Sequence, residues 1–287
     1  MKFDKNTKIL IVGLGLIGGS YAEALSEKGF SVKAIDSRKE AIDYALEKGI
    51  ISGGAAEPDK NLIEEAELIV FALYPHVFID WMEKYSHFIT PGTLVTDVTG
   101  VKCSIVYRVQ DMLPEGVEFI ASHPMAGREV YGVENSTCSI FRGANFVVTP
   151  TERNTPEAIE LCEELGKTLG FARVSRLSPE AHDDMIGFLS QLTHCIAVAL
   201  MTSCDAPGME LYTGDSFRDL TRIARINEDM WTELFMLNKE PLIRHTDLFI
   251  GELTKLRNAL KDGDTEEMKR MMRLSTERRA RFDKPSV

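Results

Sequence analysis

The chain is 287 residues long, enough for two domains with separate cores, because single cores usually stop growing near this size. Its 33 Lys and Arg stand against 44 Asp and Glu, a net charge of −11. That excludes a general nucleic-acid binder, which needs a positive field to displace counterions from phosphates.

In chain order, the opening MKFDKNTKILIVG runs into a strand without a signal-peptide layout. The five cysteines, at 103, 138, 162, 195 and 204, are odd in number and form no CxxC pair, so they suit reduced thiols rather than a disulfide framework or zinc site. Together these read as a cytoplasmic protein. The strand at 8–13 leads into Gly13-Leu14-Gly15-Leu16-Ile17-Gly18 and a helix over 20–28. Gly13 permits the tight turn, Gly15 lets backbone approach a pyrophosphate, and Gly18 allows close helix–strand packing. Leu16 and Ile17 stand in the loop beside these glycines as candidate cofactor contacts, and the following helix offers its free N–H groups and positive end to an anion. The second strand, 31–36, ends at Asp36, about 20 residues on, where a carboxylate accepts the ribose hydroxyls and repels a 2′-phosphate. NAD is therefore expected over NADP, and Arg38, two residues on, belongs with the same candidate set.

Further β-type runs at 68–75, 93–98, 117–122, 145–150 and 172–177 alternate with helical patterns. That is the logic of a parallel sheet covered on both faces, although the last strands can join differently. His123 falls at the end of the 117–122 run and is followed by Pro124, Met125, Ala126 and Gly127. Open α/β sheets bind ligands at that edge, and a neutral imidazole there can take a hydroxyl proton near neutral pH. After residue 177 the strand signals stop. Ser178-Pro179-Glu180 opens a helix, and the remainder is helical in pattern. The reading is an α/β fold: a Rossmann-type doubly wound sheet over 1–177, then an all-helical domain over 178–287.

The uncharged run 185–204 is long enough to cross a bilayer, but its polar residues and flanking Asp183, Asp184 and Asp205 favour a helix buried in protein. On it Gly187, Ser190, Gln191 and His194 fall at helical spacing as a polar stripe. Downstream, Arg218 and Arg222 lie one turn apart, a candidate clamp for a carboxylate, with Asp219 between them and Trp231 beyond. The charged run 266–284 reads as a solvated helix face.

These stretches carry a resemblance. The glycine loop with Asp36, Asp97-Val98-Thr99-Gly100-Val101-Lys102, His123-Pro124-Met125-Ala126-Gly127, Leu192-Thr193-His194 and Phe217-Arg218-Asp219-Leu220-Thr221-Arg222-Ile223-Ala224 with Trp231 together resemble prephenate dehydrogenases and their arogenate-using relatives. The resemblance implies NAD-dependent oxidative decarboxylation of prephenate to 4-hydroxyphenylpyruvate in tyrosine biosynthesis, with no metal. It implies that His123 accepts the ring hydroxyl's proton, that His194 and Ser190 line the substrate site, that Arg222 holds a carboxylate, and that the helical domain builds a homodimer. Arg218 and Trp231 belong to its matched substrate stretch. Two departures stand out. Thr99-Gly100 replaces a common Gly-Ser, so that Thr99 stands one residue from the serine that usually assists the histidine. Thr213-Gly214-Asp215-Ser216 replaces a glycine-rich lead into Phe-Arg-Asp. The competing readings are an arogenate dehydrogenase giving tyrosine directly, a β-hydroxyacid dehydrogenase, and a dinucleotide-sensing module without chemistry. No nucleic-acid or membrane partner is expected.

Overall fold

The computed structural model describes residues 3–283, so Met1, Lys2 and Lys284 of the stretches above lie outside it. Strand β1 (Ile9–Val12) is followed by α1 (Leu16–Glu27), β2 (Val32–Ile35), α2 (Lys39–Glu47), β3 (Gly53–Ala55), α3 (Lys60–Glu65), β4 (Leu68–Phe71), α4 (Pro75–Tyr85), β5 (Leu94–Asp97), α5 (Val106–Met112) and β6 (Glu118–Phe119). The six strands form one sheet in the order β3-β2-β1-β4-β5-β6, every pair parallel. Both β1 and β4 are buried at all four positions, as apolar strands covered on both faces must be. Successive residues serve opposite faces: Ile9, Ile11, Leu68 and Val70 enter one core, while Leu10, Val12, Ile69 and Phe71 enter the other. The order reverses between β1 and β4, which opens a crevice at the carboxyl ends of those strands.

The later strands depart from the single parallel sheet. β7 (Ala121–Met125), β8 (Asn145–Thr149) and β9 (Arg173–Arg176) form a second sheet, with α6 (Pro156–Leu169) between the last two in sequence. β7 pairs antiparallel with β8, and β8 pairs parallel with β9. The cause lies at Ile120, whose N–H still reaches Val95 O at 2.9 Å and ends the first sheet, after which the chain turns its edge to β8. His123 is consequently inside a strand, opposite Val147, rather than at a strand end. Pro124, which has no N–H to donate, is tolerated because β7 is an edge strand.

After β9, α7 (Pro179–Ile186), a π turn (Gly187–Gln191) and α8 (Leu192–Thr202) make one continuous helical run, capped by Ser178 through the N–H of Ala181. The run is long and apolar enough to cross a membrane, yet only 28% of its most apolar window is buried within the chain. Met185, Leu189 and Met201 remain exposed, so the buried helix expected from composition is not buried by this chain alone. Next come α9 (Asp215–Thr221), a 3-10 turn (Arg222–Ala224) and α10 (Glu228–Leu237), whose Leu234 and Leu237 pack on the core under β4 and β5. The chain divides into two compact units, 1–239 and 240–287. The second contains most of α11 (Lys239–Asp262) and all of α12 (Thr265–Arg279), joined through Gly263 in a left-handed conformation (φ +69°) with Asp264 capping α12. The described part of the charged run carries Lys269–Glu266 and Arg270–Glu267 pairs along α12.

Candidate active site

At the β1–α1 turn, Gly13 has φ +99°, and a Cβ there would lie 2.5 Å from Ala72 O, so no other residue fits. A Cβ on Gly18 would meet Gly13 O at 1.9 Å, the close packing its position calls for. Gly15 has nothing within 4 Å of that position, so its backbone faces open space. No side chain caps α1 and no acid stands in its first turn, which leaves its N–H groups and positive end available to an anion. Leu16 buries its side chain and Ile17 packs on the core, so both present backbone only. The Asp36 carboxylate, beyond β2, accepts the Leu14 N–H at 2.6 Å and the Arg38 N–H at 2.8 Å, while the Arg38 guanidinium donates to Leu14 O at 3.3 Å. An acid at the strand end, an uncapped helix and an open glycine suit a dinucleotide with free ribose hydroxyls.

Two strands along the same edge, about 10 Å at the usual strand spacing, the end of β5 holds a buried ionic knot. Lys102 Nζ donates to Asp97 Oδ2 at 2.7 Å and to Ser122 O at 2.6 Å, and both side chains are fully buried. Asp97 Oδ1 also accepts the Ser122 N–H at 3.1 Å, so the knot fixes the residue before His123. Burial lowers the Lys102 pKa, against the pull of Asp97. Thr99 is part of this knot: its hydroxyl and N–H both donate to Asp97 Oδ2. It is therefore turned into the core, away from any open site, and the substrate contact expected of it is not available.

His123 is half-buried, and its Nδ1 lies 2.9 Å from His182 Nε2. His182 Nδ1 in turn lies 2.8 Å from Asp183 Oδ1, and Asp183 accepts the backbone N–H groups of Lys102 and Cys103, both at 2.8 Å. Burial first, then His182 and Lys102, hold His123 well below the usual histidine pKa. Burial also lowers His182, although its bond to Asp183 opposes the shift. His182 and Asp183 were not singled out as site residues from the sequence, where Asp183 figures only as an acid flanking the uncharged run.

The polar stripe is split by the π turn. Gln191 turns inward, donating to Leu234 O at 2.9 Å and accepting from Asn238 Nδ2 at 2.7 Å. Ser190 offers its carbonyl to His194 Nδ1 at 2.9 Å, and the His194 ring stacks on Trp231 with centroids 3.6 Å apart. Leu234, one turn after Trp231 on α10, reaches within 3.6 Å of where a Gly100 Cβ would stand, itself 4.0 Å from His123 Cε1. One face of α10 thus links the Trp231–His194 stack to the His123 neighbourhood. Arg222 pairs with Glu129, six residues beyond His123, and both charges act on His194. Arg218 does not join it: α9 ends at Thr221, and Arg218 bonds Asp215 Oδ1 at 2.6 Å and Thr213 instead. The structure therefore does not bring the two arginines together.

A dinucleotide turn after β1, a half-buried imidazole on β7 beside the buried knot at the end of β5, and a helical segment carrying an arginine and a stacked histidine define a dinucleotide-dependent dehydrogenase. The nucleotide-binding domain of prephenate dehydrogenase matches residues 21–175, and the dimerization domain of prephenate dehydrogenase matches residues 178–274. The chain belongs to the prephenate dehydrogenase family. It is 29% identical to prephenate dehydrogenase of Bacillus subtilis over 94% of this chain and 75% of that one. It is 28% identical to cyclohexadienyl dehydrogenase of Zymomonas mobilis over 89% of this chain and 90% of that one. Among solved structures, prephenate dehydrogenase from A. aeolicus in complex with hydroxyphenyl propionate and NAD+ superposes with a TM-score of 0.89 at 28% identity, covering 98% of this chain and 100% of that one.

Proposed function

We propose that this dehydrogenase oxidises and decarboxylates prephenate to 4-hydroxyphenylpyruvate with NAD, as a cytoplasmic homodimer in tyrosine biosynthesis. The observation that carries the reading is the half-buried His123, fixed by the Asp97–Lys102 knot on the sheet edge that also bears the glycine turn. Gly13, Gly15 and Gly18, with the start of α1, would hold the pyrophosphate, and Asp36 would hold the ribose hydroxyls. Bound NAD would supply the hydride acceptor.

The protein's own part is proton acceptance and positioning. His123, neutral because burial lowers its pKa, takes the proton from the ring hydroxyl. Arg222 exchanges Glu129 for a substrate carboxylate, a planar match for its guanidinium. His194, Ser190 and Trp231 form the wall beside it. The ring carboxylate then leaves as carbon dioxide, and the gain in aromaticity drives the reaction without an electrophilic metal. The A. aeolicus relative's hydroxyphenyl propionate has the aromatic ring and three-carbon acid such a product requires.

The test is NADH formation by the purified protein with prephenate and with arogenate, each with NAD and NADP. Prephenate with NAD is expected to turn over fastest; faster arogenate turnover would move the assignment to that substrate, and no turnover of either would end it. His123→Asn is expected to keep NAD affinity and lose about 10²- to 10⁴-fold in kcat, the usual worth of a general base.

A further inference from the structure

The side chains behind His123 determine which of its nitrogens can act. Asp183 accepts two backbone N–H groups, and although burial pushes its pKa up, the bonds from His182, Cys103 and Lys102 outweigh that and lower it. It is therefore a carboxylate, with only acceptor capacity, and His182 Nδ1 must donate to it. His182 is buried and neutral, so its Nε2 carries a lone pair and can only accept. The partner at 2.9 Å is His123 Nδ1, which must then carry the hydrogen, leaving the lone pair on Nε2. The other charged groups facing the two rings are Lys102 and Asp97, already committed to each other, with the Cys103 thiol beside Asp183. Residue 100 is a glycine and Thr99 is turned into the knot, so neither supplies a side chain to orient the imidazole.

We propose that His182 and Asp183 are positioning residues that hold His123 as its Nδ1–H tautomer, so that Nε2 is the proton acceptor, and that they stabilise the imidazolium formed. The inference rests on His123 being the base. In the step itself, the substrate O–H bond breaks and an Nε2–H bond forms. The Nδ1–H stays in place as the donor to His182, and the new positive charge faces the Asp183 carboxylate through one ring.

Asp183 also holds backbone, so the decisive variants are at His182. In His182→Gln the amide oxygen can accept from His123 Nδ1 while the amide nitrogen donates to Asp183; in His182→Leu no acceptor remains. Long-range ¹⁵N–¹H spectra of the histidine-labelled full-length protein, without substrate, are expected to show His123 protonated on Nδ1 in the wild type and in His182→Gln, and on Nε2 in His182→Leu. The Leu variant should lose kcat on the order of 10²- to 10³-fold, less than the 10⁴-fold seen when a triad carboxylate is neutralised, while the Gln variant stays within about tenfold of wild type. The acid limb of kcat/KM should shift to lower pH in His182→Leu, because the imidazolium has lost its stabilising partner. An Nε2–H tautomer in the wild type, or equal kinetics and an unmoved acid limb for Leu and Gln, overturns the proposal. The spectra are read without turnover and His123→Asn is assayed separately, so failure here is distinguishable from failure of His123 as base.

Discussion

Lys102 and Asp97 place a full ion pair in the core, where desolvation costs several kcal/mol per ion unless geometry and extra hydrogen bonds offset it. Here the extra bonds run to Ser122 and Thr99, and what they secure is position: the backbone immediately before His123 cannot shift without breaking the pair. The same burial has a consequence for acid stability. His123 and His182 both have folded pKa values lowered by burial, so below the unfolded value of about 6.5 the unfolded chain takes up protons that the folded chain refuses. Their contribution is therefore fully present above that pH and is lost as pH falls toward the folded values. Unfolding free energies from urea titrations are expected to be level just above about pH 6.5 and to decline below it, by up to about 1.4 kcal/mol per pH unit for each histidine; His182→Gln should show the shallower decline. Arg222 makes a different kind of prediction. Its guanidinium is exposed and paired with Glu129, so Arg222→Ala should leave the fold intact and chiefly raise KM for the substrate. An unaltered KM would remove Arg222 from the carboxylate site.

At the scale of elements, the π turn is what lets one helical run do two jobs. The extra residue in that turn rotates Gln191 toward α10 while leaving His194 on the Trp231 side. Gln191 is bonded to Leu234 O and Asn238, and Asn238 to Asp183 O, so α10 is tied to α7 through one buried amide pair. Gln191→Leu would remove one of the two bonds made by the Asn238 amide and one of the two accepted by the Leu234 carbonyl, at a cost of about 0.5–1.5 kcal/mol per bond lost. The expected result is a lower Tm together with a raised substrate KM and unchanged NAD affinity, because α10 carries Trp231 while the glycine turn lies elsewhere. This element also shows what a sequence can and cannot disclose. The glycine turn and Asp36 were legible because local backbone geometry dictates them. The π turn was not, since a regular 3.6-residue period places the same polar residues on one stripe. Strand β3 is Gly-Gly-Ala, with no apolar alternation to see. The break between β6 and β7 falls at a single apolar residue, Ile120, inside an unbroken strand-like run. That Lys102 and Asp183 are buried was not legible, because burial is set by elements distant in sequence.

For the whole molecule, the question is what covers the apolar helical run. Met185, Leu189 and Met201 are 46%, 41% and 44% exposed on a segment with almost no charge, whereas the chain as a whole is strongly acidic. A patch of this kind on an otherwise charged surface marks an interface, and the segment lies within the stretch matched by the family's dimerization domain. A second copy of the same chain would bury the run against its symmetry mate in an isologous contact. Membrane insertion is the competing explanation of the same hydropathy, and the two differ in what a detergent-free solution contains. Sedimentation equilibrium at micromolar concentration is expected to give twice the chain mass of 32.1 kDa. The double variant Met185→Glu, Met201→Glu, placing two like charges on each face of the contact, should shift the species to a single chain with unaltered far-UV circular dichroism. A wild-type protein that sediments at 32.1 kDa, or one that is soluble only with detergent, would show that the helix is covered by something other than its own copy.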